Sequence, residues 1–208
     1  RYGLDLAYSS EWSEDEALLR GHVDDIDAVL ADVAGDPLLE VAEPVVQFET
    51  TGFPNDPMWE KQWNMVKIGA PTGWRAGAGT GVKVAVIDTG VTVVEDLQGV
   101  SVTTGRTFVP GTKTAADDHG HGTHVAGTIA QATGNGVGVH GVAPGVEVLA
   151  IRVLDEEGTG WTSDTIAGID EALESGAQII NLSLGSSTRS ELQQQALQRA
   201  EEAGVLVV

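Results

Sequence analysis

The stretch Val84-Ala85-Val86-Ile87-Asp88-Thr89-Gly90 decides the fold. Four apolar residues run into an acid and then a turn glycine. Short apolar runs of this kind mark strands buried in a parallel sheet. This one reads as a strand over 82–87, and three more follow at 147–153, 178–184 and 205–208. Helical patterns lie between them at 121–132, 163–175 and 190–203. Gly176 and Gly204 stand where helix C-terminal caps belong. Strand alternating with helix predicts an α/β fold: an open, mostly parallel sheet with helices on both faces. In such sheets functional sites gather at the carboxyl ends of the strands, which is where Asp88 falls.

Upstream of residue 50 the composition changes. Glycine is scarce there and acids dominate, in runs such as 11–16 and 24–27. Segments 3–9 and 17–23 read as strands around an acidic turn. Asp24 or Asp25 can cap a helix over 26–33, with Ile26, Val29, Leu30 and Val33 on one face. Gly35-Asp36-Pro37 ends it, and 38–48 alternates well enough for a strand. The organisation expected is a small α+β unit over 1–50, a turn-rich linker over 51–58, and the α/β body over 59–208.

The 208 residues carry 31 acidic and 11 basic side chains, a net charge of −20. That balance argues against nucleic acid and anionic membranes as partners. No apolar run is long enough to span a bilayer. With no cysteine, disulfides, thiolate metal sites and a cysteine nucleophile are excluded. Gly77-x-Gly79-x-Gly81 lies before a strand and not after one, so it reads as a loop and not as a nucleotide-binding turn.

Two segments carry chemistry. An ionised carboxylate at the end of a buried strand is costly without a partner. Asp88 is therefore placed to orient a histidine, although a turn or cap role fits the residue taken alone. The second segment is Asp117-Asp118-His119-Gly120-His121-Gly122-Thr123-His124-Val125-Ala126-Gly127. Three histidines open a helix whose small residues Gly122, Ala126 and Gly127 allow close approach to a neighbouring backbone. Clustered histidines also suit a transition metal, but the spacing H-x-H-x-x-H lacks the glutamate of H-E-x-x-H.

Taken together, V-A-V-I-D-T-G followed about thirty residues later by H-G-T-H-V-A-G-T resembles the subtilisin-like serine proteases, nearer to thermitase-like members. The resemblance implies the subtilisin-like fold and an Asp-His-Ser triad with Asp88 as the acid and His121 as the general base. It gives His124 a structural place and His119 none. It implies a polypeptide substrate clamped as an added strand. One side of the clamp would be Leu154, Gly158, Thr159 and Gly160, and the other Ser183, Leu184 and Gly185. Asp56, Asp96 and Asn135 match oxygen ligands of a structural Ca2+. The early unit resembles the later half of the family's inhibitory propeptide, which would make it an intramolecular inhibitor of a zymogen.

The family's G-T-S-M-A-x-P block, which holds the nucleophile, does not occur in these residues, and neither does its oxyanion asparagine. The expectation is a serine endopeptidase whose Ser and Asn come from a further segment or chain, with these residues inactive alone. The alternative is a non-catalytic fragment or pseudoenzyme that binds peptides or regulates a partner. The resemblance also implies a secreted, extracellular location.

Overall fold

The computed structural model of the chain describes residues 2–8, 17, 19–44 and 54–208. It divides into two compact units, Arg1–Thr51 and Gly52–Val208.

In the first unit β1 (Leu6–Tyr8) pairs antiparallel with β2 (Leu19–Gly21). Helix α1 (Ile26–Val33) follows and is capped by Asp25, whose carboxylate accepts from the Ala28 N–H at 3.0 Å. The strand expected over 38–48 is not formed by its described part. Residues 38–44 are turn and irregular chain, with Leu38 82% and Val41 71% exposed, so no layer covers their apolar side chains. Residues 45–48 of that expectation, and 51–53 of the linker, lie outside the described residues.

The second unit opens with a 3₁₀ turn (Trp59–Lys61), α2 (Trp63–Lys67) and α3 (Ala70–Ala76). Its sheet contains β3 (Lys83–Asp88), β4 (Ser101–Thr107), β5 (Glu147–Arg152), β6 (Ile179–Asn181) and β7 (Leu206–Val207). The spatial order is β4-β5-β3-β6-β7 and every pairing is parallel. Helices α4 (His121–Ala130), α5 (Thr162–Glu174) and α6 (Glu191–Glu202) complete it.

Side-chain alternation on the central strands sorts these helices onto two faces. Ala85 and Ile87 join Leu149 and Ile151 against Ile169 and Ala172 of α5 and Ala196 and Ala200 of α6. Val84 and Val86 join Val148 and Ala150 against Ala126 and Ala130 of α4. Both α5 and α6 end in left-handed glycines, Gly176 (φ +72°) and Gly204 (φ +78°). The next residues close the helices by donating to Ala172 O and Ala200 O, the bonding of a Schellman cap.

Two kinds of element leave no sequence signal. Edge strand β4 exposes most of its seven residues, several of them threonines, and so lacks an apolar run. Helices α2 and α3 are too short to show a period.

Candidate active site

Asp88 ends β3 and is fully buried. His121 is the first residue of α4. Its Nδ1 lies 2.8 Å from Asp88 Oδ1, which also accepts the Thr89 N–H at 2.7 Å. Asp88 Oδ2 is buried without a hydrogen-bond partner among the described residues. A carboxylate acceptor at Nδ1 requires the ring proton there and leaves the Nε2 lone pair for chemistry.

This closeness depends on two glycines. A Cβ on Gly122 would sit 2.1 Å from Gly90 O and 3.1 Å from Asp88 Oδ1. Gly90 has φ +105°, and a Cβ there would sit 2.5 Å from Ala115 O. The start of α4 therefore rests directly on the backbone after β3, and the Gly122 N–H donates to Thr89 Oγ1 at 2.9 Å.

Asp117 ties these parts together. Its carboxylate accepts from Thr89 Oγ1, from the N–H groups of His119, Gly120 and Thr123, and from Thr123 Oγ1. Burial pushes its pKa up, but the bonds from Thr123, Gly120 and Thr89 outweigh burial and hold the carboxyl down at about 2. Negative charge also suits the N-terminal turn of α4.

A cleft of about 470 Å3 opens beside His121. All seven residues expected to meet substrate line it: Leu154, Gly158, Thr159 and Gly160 with Ser183, Leu184 and Gly185. Leu154 and Gly160 form an antiparallel bridge across a tight turn. Inside that turn Asp155 accepts from the N–H groups of Glu157 and Thr159 and from Thr159 Oγ1. The Leu182 N–H still donates to Val208 O at 2.8 Å, and residues 183–185, of which the first two were expected within a strand, serve as the opposite lip. His119 lines the cleft too, with its Nε2 3.0 Å from where a Gly158 Cβ would be. Its Nδ1 accepts from the His121 N–H at 3.3 Å. Among the described residues no three His, Cys, Asp or Glu side chains converge, so His119, His121 and His124 make no transition-metal site.

Sequence reasoning passes over Thr89, Asp117, His119 and Arg152 as parts of the site. Thr89 and Asp117 stand inside the two quoted motifs, so their position is the available signal. Arg152 gives none, because a charged residue at the end of an apolar run reads as a strand boundary.

Asp56, Asp96 and Asn135 come together beyond the C-terminal end of α4. Asn135 Nδ2 donates to Asp96 Oδ1 at 3.0 Å, and the Gly134 N–H donates to Asp56 Oδ2 at 3.2 Å. Asp96 Oδ2 accepts from Gln131 Nε2 and the Val139 N–H, both at 2.9 Å. Asp56 and Asp96 are both buried, and Asp56 Oδ1 has no hydrogen-bond partner among the described residues. Asn135 Oδ1 accepts the Val137 N–H at 2.9 Å. An orphaned buried carboxylate oxygen with a second buried carboxylate nearby is a hard, oxygen-rich setting that fits Ca2+.

A sequence profile described as "Subtilase family" matches residues 79–208, more than half the chain. "Alkaline protease" from Alkalihalobacillus alcalophilus is 40% identical over 186 residues, covering 89% of this chain and 45% of that protein. "Thermitase" from Thermoactinomyces vulgaris is 41% identical over 157 residues, 74% of this chain and 56% of that one. Among solved structures, one described as proteases from Pseudoalteromonas arctica superposes with a TM-score of 0.68 at 35% identity. That match covers 76% of this chain and 58% of the other. The chain spans about half the length of the curated relatives it matches.

Proposed function

The chain belongs to the subtilase family, and on that premise we propose that it carries the acid–base half of a serine endopeptidase. The observation that carries the reading is the 2.8 Å contact between His121 Nδ1 and the buried carboxylate of Asp88, at the head of a cleft. Asp88 keeps the proton on Nδ1. His121 Nε2 takes the proton of a serine hydroxyl as that oxygen attacks the scissile carbonyl. The imidazolium formed is stabilised by Asp88 and returns the proton to the leaving amine. An extended peptide lies between the wall at 154–160 and the lip at 183–185, held by main-chain hydrogen bonds, with Leu154 and Leu184 lining apolar pockets.

The serine and the oxyanion asparagine come from a segment outside these 208 residues. The relatives support this, being about twice as long as the part matched. The alignment with the alkaline protease extends over 186 residues, more than the 157 of unit Gly52–Val208, and so reaches into the first unit. That extension supports a propeptide-like, inhibitory role for residues 1–50 and hence a zymogen. Secretion is part of the proposal by family resemblance.

Asp56, Asp96 and Asn135 would hold a structural Ca2+, neutralising two carboxylates and linking the segments at 56, 96 and 134–139. No step of hydrolysis runs through it.

The test uses the whole protein carrying this chain and an internally quenched peptide library. Cleavage that disappears in His121→Ala supports an enzyme. Peptide binding with no cleavage by wild type favours the non-catalytic alternative.

A further inference from the structure

Arg152 is a buried charge that the acid–base chemistry does not use. It is 3% exposed and ends β5, in register with Asp88 of β3 on one side and Thr107 of β4 on the other. Its guanidinium reaches two separate segments. Nη1 donates to Ala116 O at 2.9 Å and Nη2 to Asp118 Oδ1 at 2.7 Å, both in the segment that leads into His121. Nε donates to Leu154 O at 3.2 Å, where the cleft wall begins. A buried cation is costly unless its donors are well placed, so this fork is held by what it binds, and it holds them in return.

The wall also has a fold of its own. Asp155 folds the turn between Leu154 and Gly160 by accepting three hydrogen bonds. The bonds from Thr159 are the main cause that holds its carboxyl below the usual range, with the Glu157 N–H and, least, the Arg152 charge adding to them against burial. Arg152 therefore stands behind the wall through the Leu154 carbonyl.

We propose that Arg152 is a positioning residue: its rigid fork sets the distance between the His121-bearing segment and the wall at 154–160, and so how firmly an extended peptide is gripped. The proposal rests on the peptidase reading above. A lysine cannot replace the fork, because it offers one mobile ammonium in place of a plane with fixed donor directions. A small ester reaches His121 without spanning the wall, whereas a long peptide must lie along it.

The experiment compares kcat/KM for a hexapeptide amide with that for a small activated ester in the whole protease. In Arg152→Gln and Arg152→Lys the peptide-to-ester ratio is expected to fall tenfold or more, with the loss in KM for the peptide. Asp118→Ala removes one anchor from a half-exposed position and should lower the ratio two- to fivefold, and it decides the matter if Arg152→Gln fails to fold. Parallel loss on both substrates, or an unchanged ratio in the variants that fold, overturns the proposal. Full recovery of the ratio by lysine overturns it too, because charge and not the fork would then be sufficient. Failure of wild type to turn over either substrate overturns the peptidase reading itself, a result distinguishable from the others.

Discussion

Gly122→Ala sets two effects against each other at one atom. Inside a helix, alanine is favoured over glycine by about 1 kcal/mol, so local propensity alone makes this change stabilising. Packing opposes it. The added Cβ would lie 2.1 Å from Gly90 O, and real Cβ contacts essentially never fall below 3.0 Å. The start of α4 must retreat by about 0.9 Å, the difference between those two distances, an overpacking worth roughly 1–3 kcal/mol. The net change in stability is a loss of about 0–2 kcal/mol. Function should suffer more. His121 is the neighbouring residue, its 2.8 Å bond to Asp88 moves with the helix, and a shift near 1 Å costs on the order of 100-fold in rate. Gly73→Ala is the control. Gly73 lies inside α3 with negative φ and nothing within 4 Å of its added Cβ, so it should gain about 0.5–1 kcal/mol and leave turnover alone. The assay is kcat/KM on a peptide together with the denaturation midpoint, for both variants in the whole protease. If Gly122→Ala matches Gly73→Ala, gaining stability with unaltered kcat/KM, the close packing of α4 on the β3 loop is refuted.

Other outcomes follow from the same geometry. The Asp117 carboxyl, held at about 2 against an ordinary value of 3.8, contributes stability that is present above that ordinary value and lost as pH falls toward 2. Allowing for its partial exposure, that is about 1 kcal/mol; Asp117→Asn should move the acid-unfolding midpoint upward, and an unmoved midpoint counts against the network. If Ca2+ binds at Asp56, Asp96 and Asn135, chelation should lower the melting temperature, by the equivalent of about 2.7 kcal/mol when the ion stands at roughly 100 times its Kd. Asp56→Ala should abolish that Ca2+ dependence without altering chemistry at His121. Ser190→Ala removes the cap of α6, where Ser190 Oγ accepts the Gln193 N–H at 3.2 Å, and should cost about 1 kcal/mol by denaturant titration.

The central strands are legible in the sequence because burial on both faces leaves only apolar side chains in them, as at Val84–Ile87 and 148–151. Helices α4, α5 and α6 are legible from period and caps. β4 is not, because an edge strand facing solvent can be built of Ser, Thr and Arg. Asp88 and His121 can be named from their motifs, but only the fold brings them to 2.8 Å. Asp117 and Arg152 act through bonds to residues 28 and 36 positions away, Thr89 and Ala116, and such pairings leave no local pattern. The end of the strand expected over 178–184 is a cleft lip for a related reason. Its backbone leaves the neighbouring strand after Leu182, whose N–H is the last to pair with it, and apolar composition cannot distinguish pairing with a neighbour from awaiting a substrate.

The central claim is that Asp88 and His121 act as one unit on a serine. The most direct measurement is the rate of fluorophosphonate labelling of the whole protein in wild type, His121→Ala and Asp88→Asn. The account predicts labelling at a single serine in wild type, with a rate that drops to near background in both variants. Labelling that is absent in wild type, or that proceeds equally in His121→Ala, contradicts it.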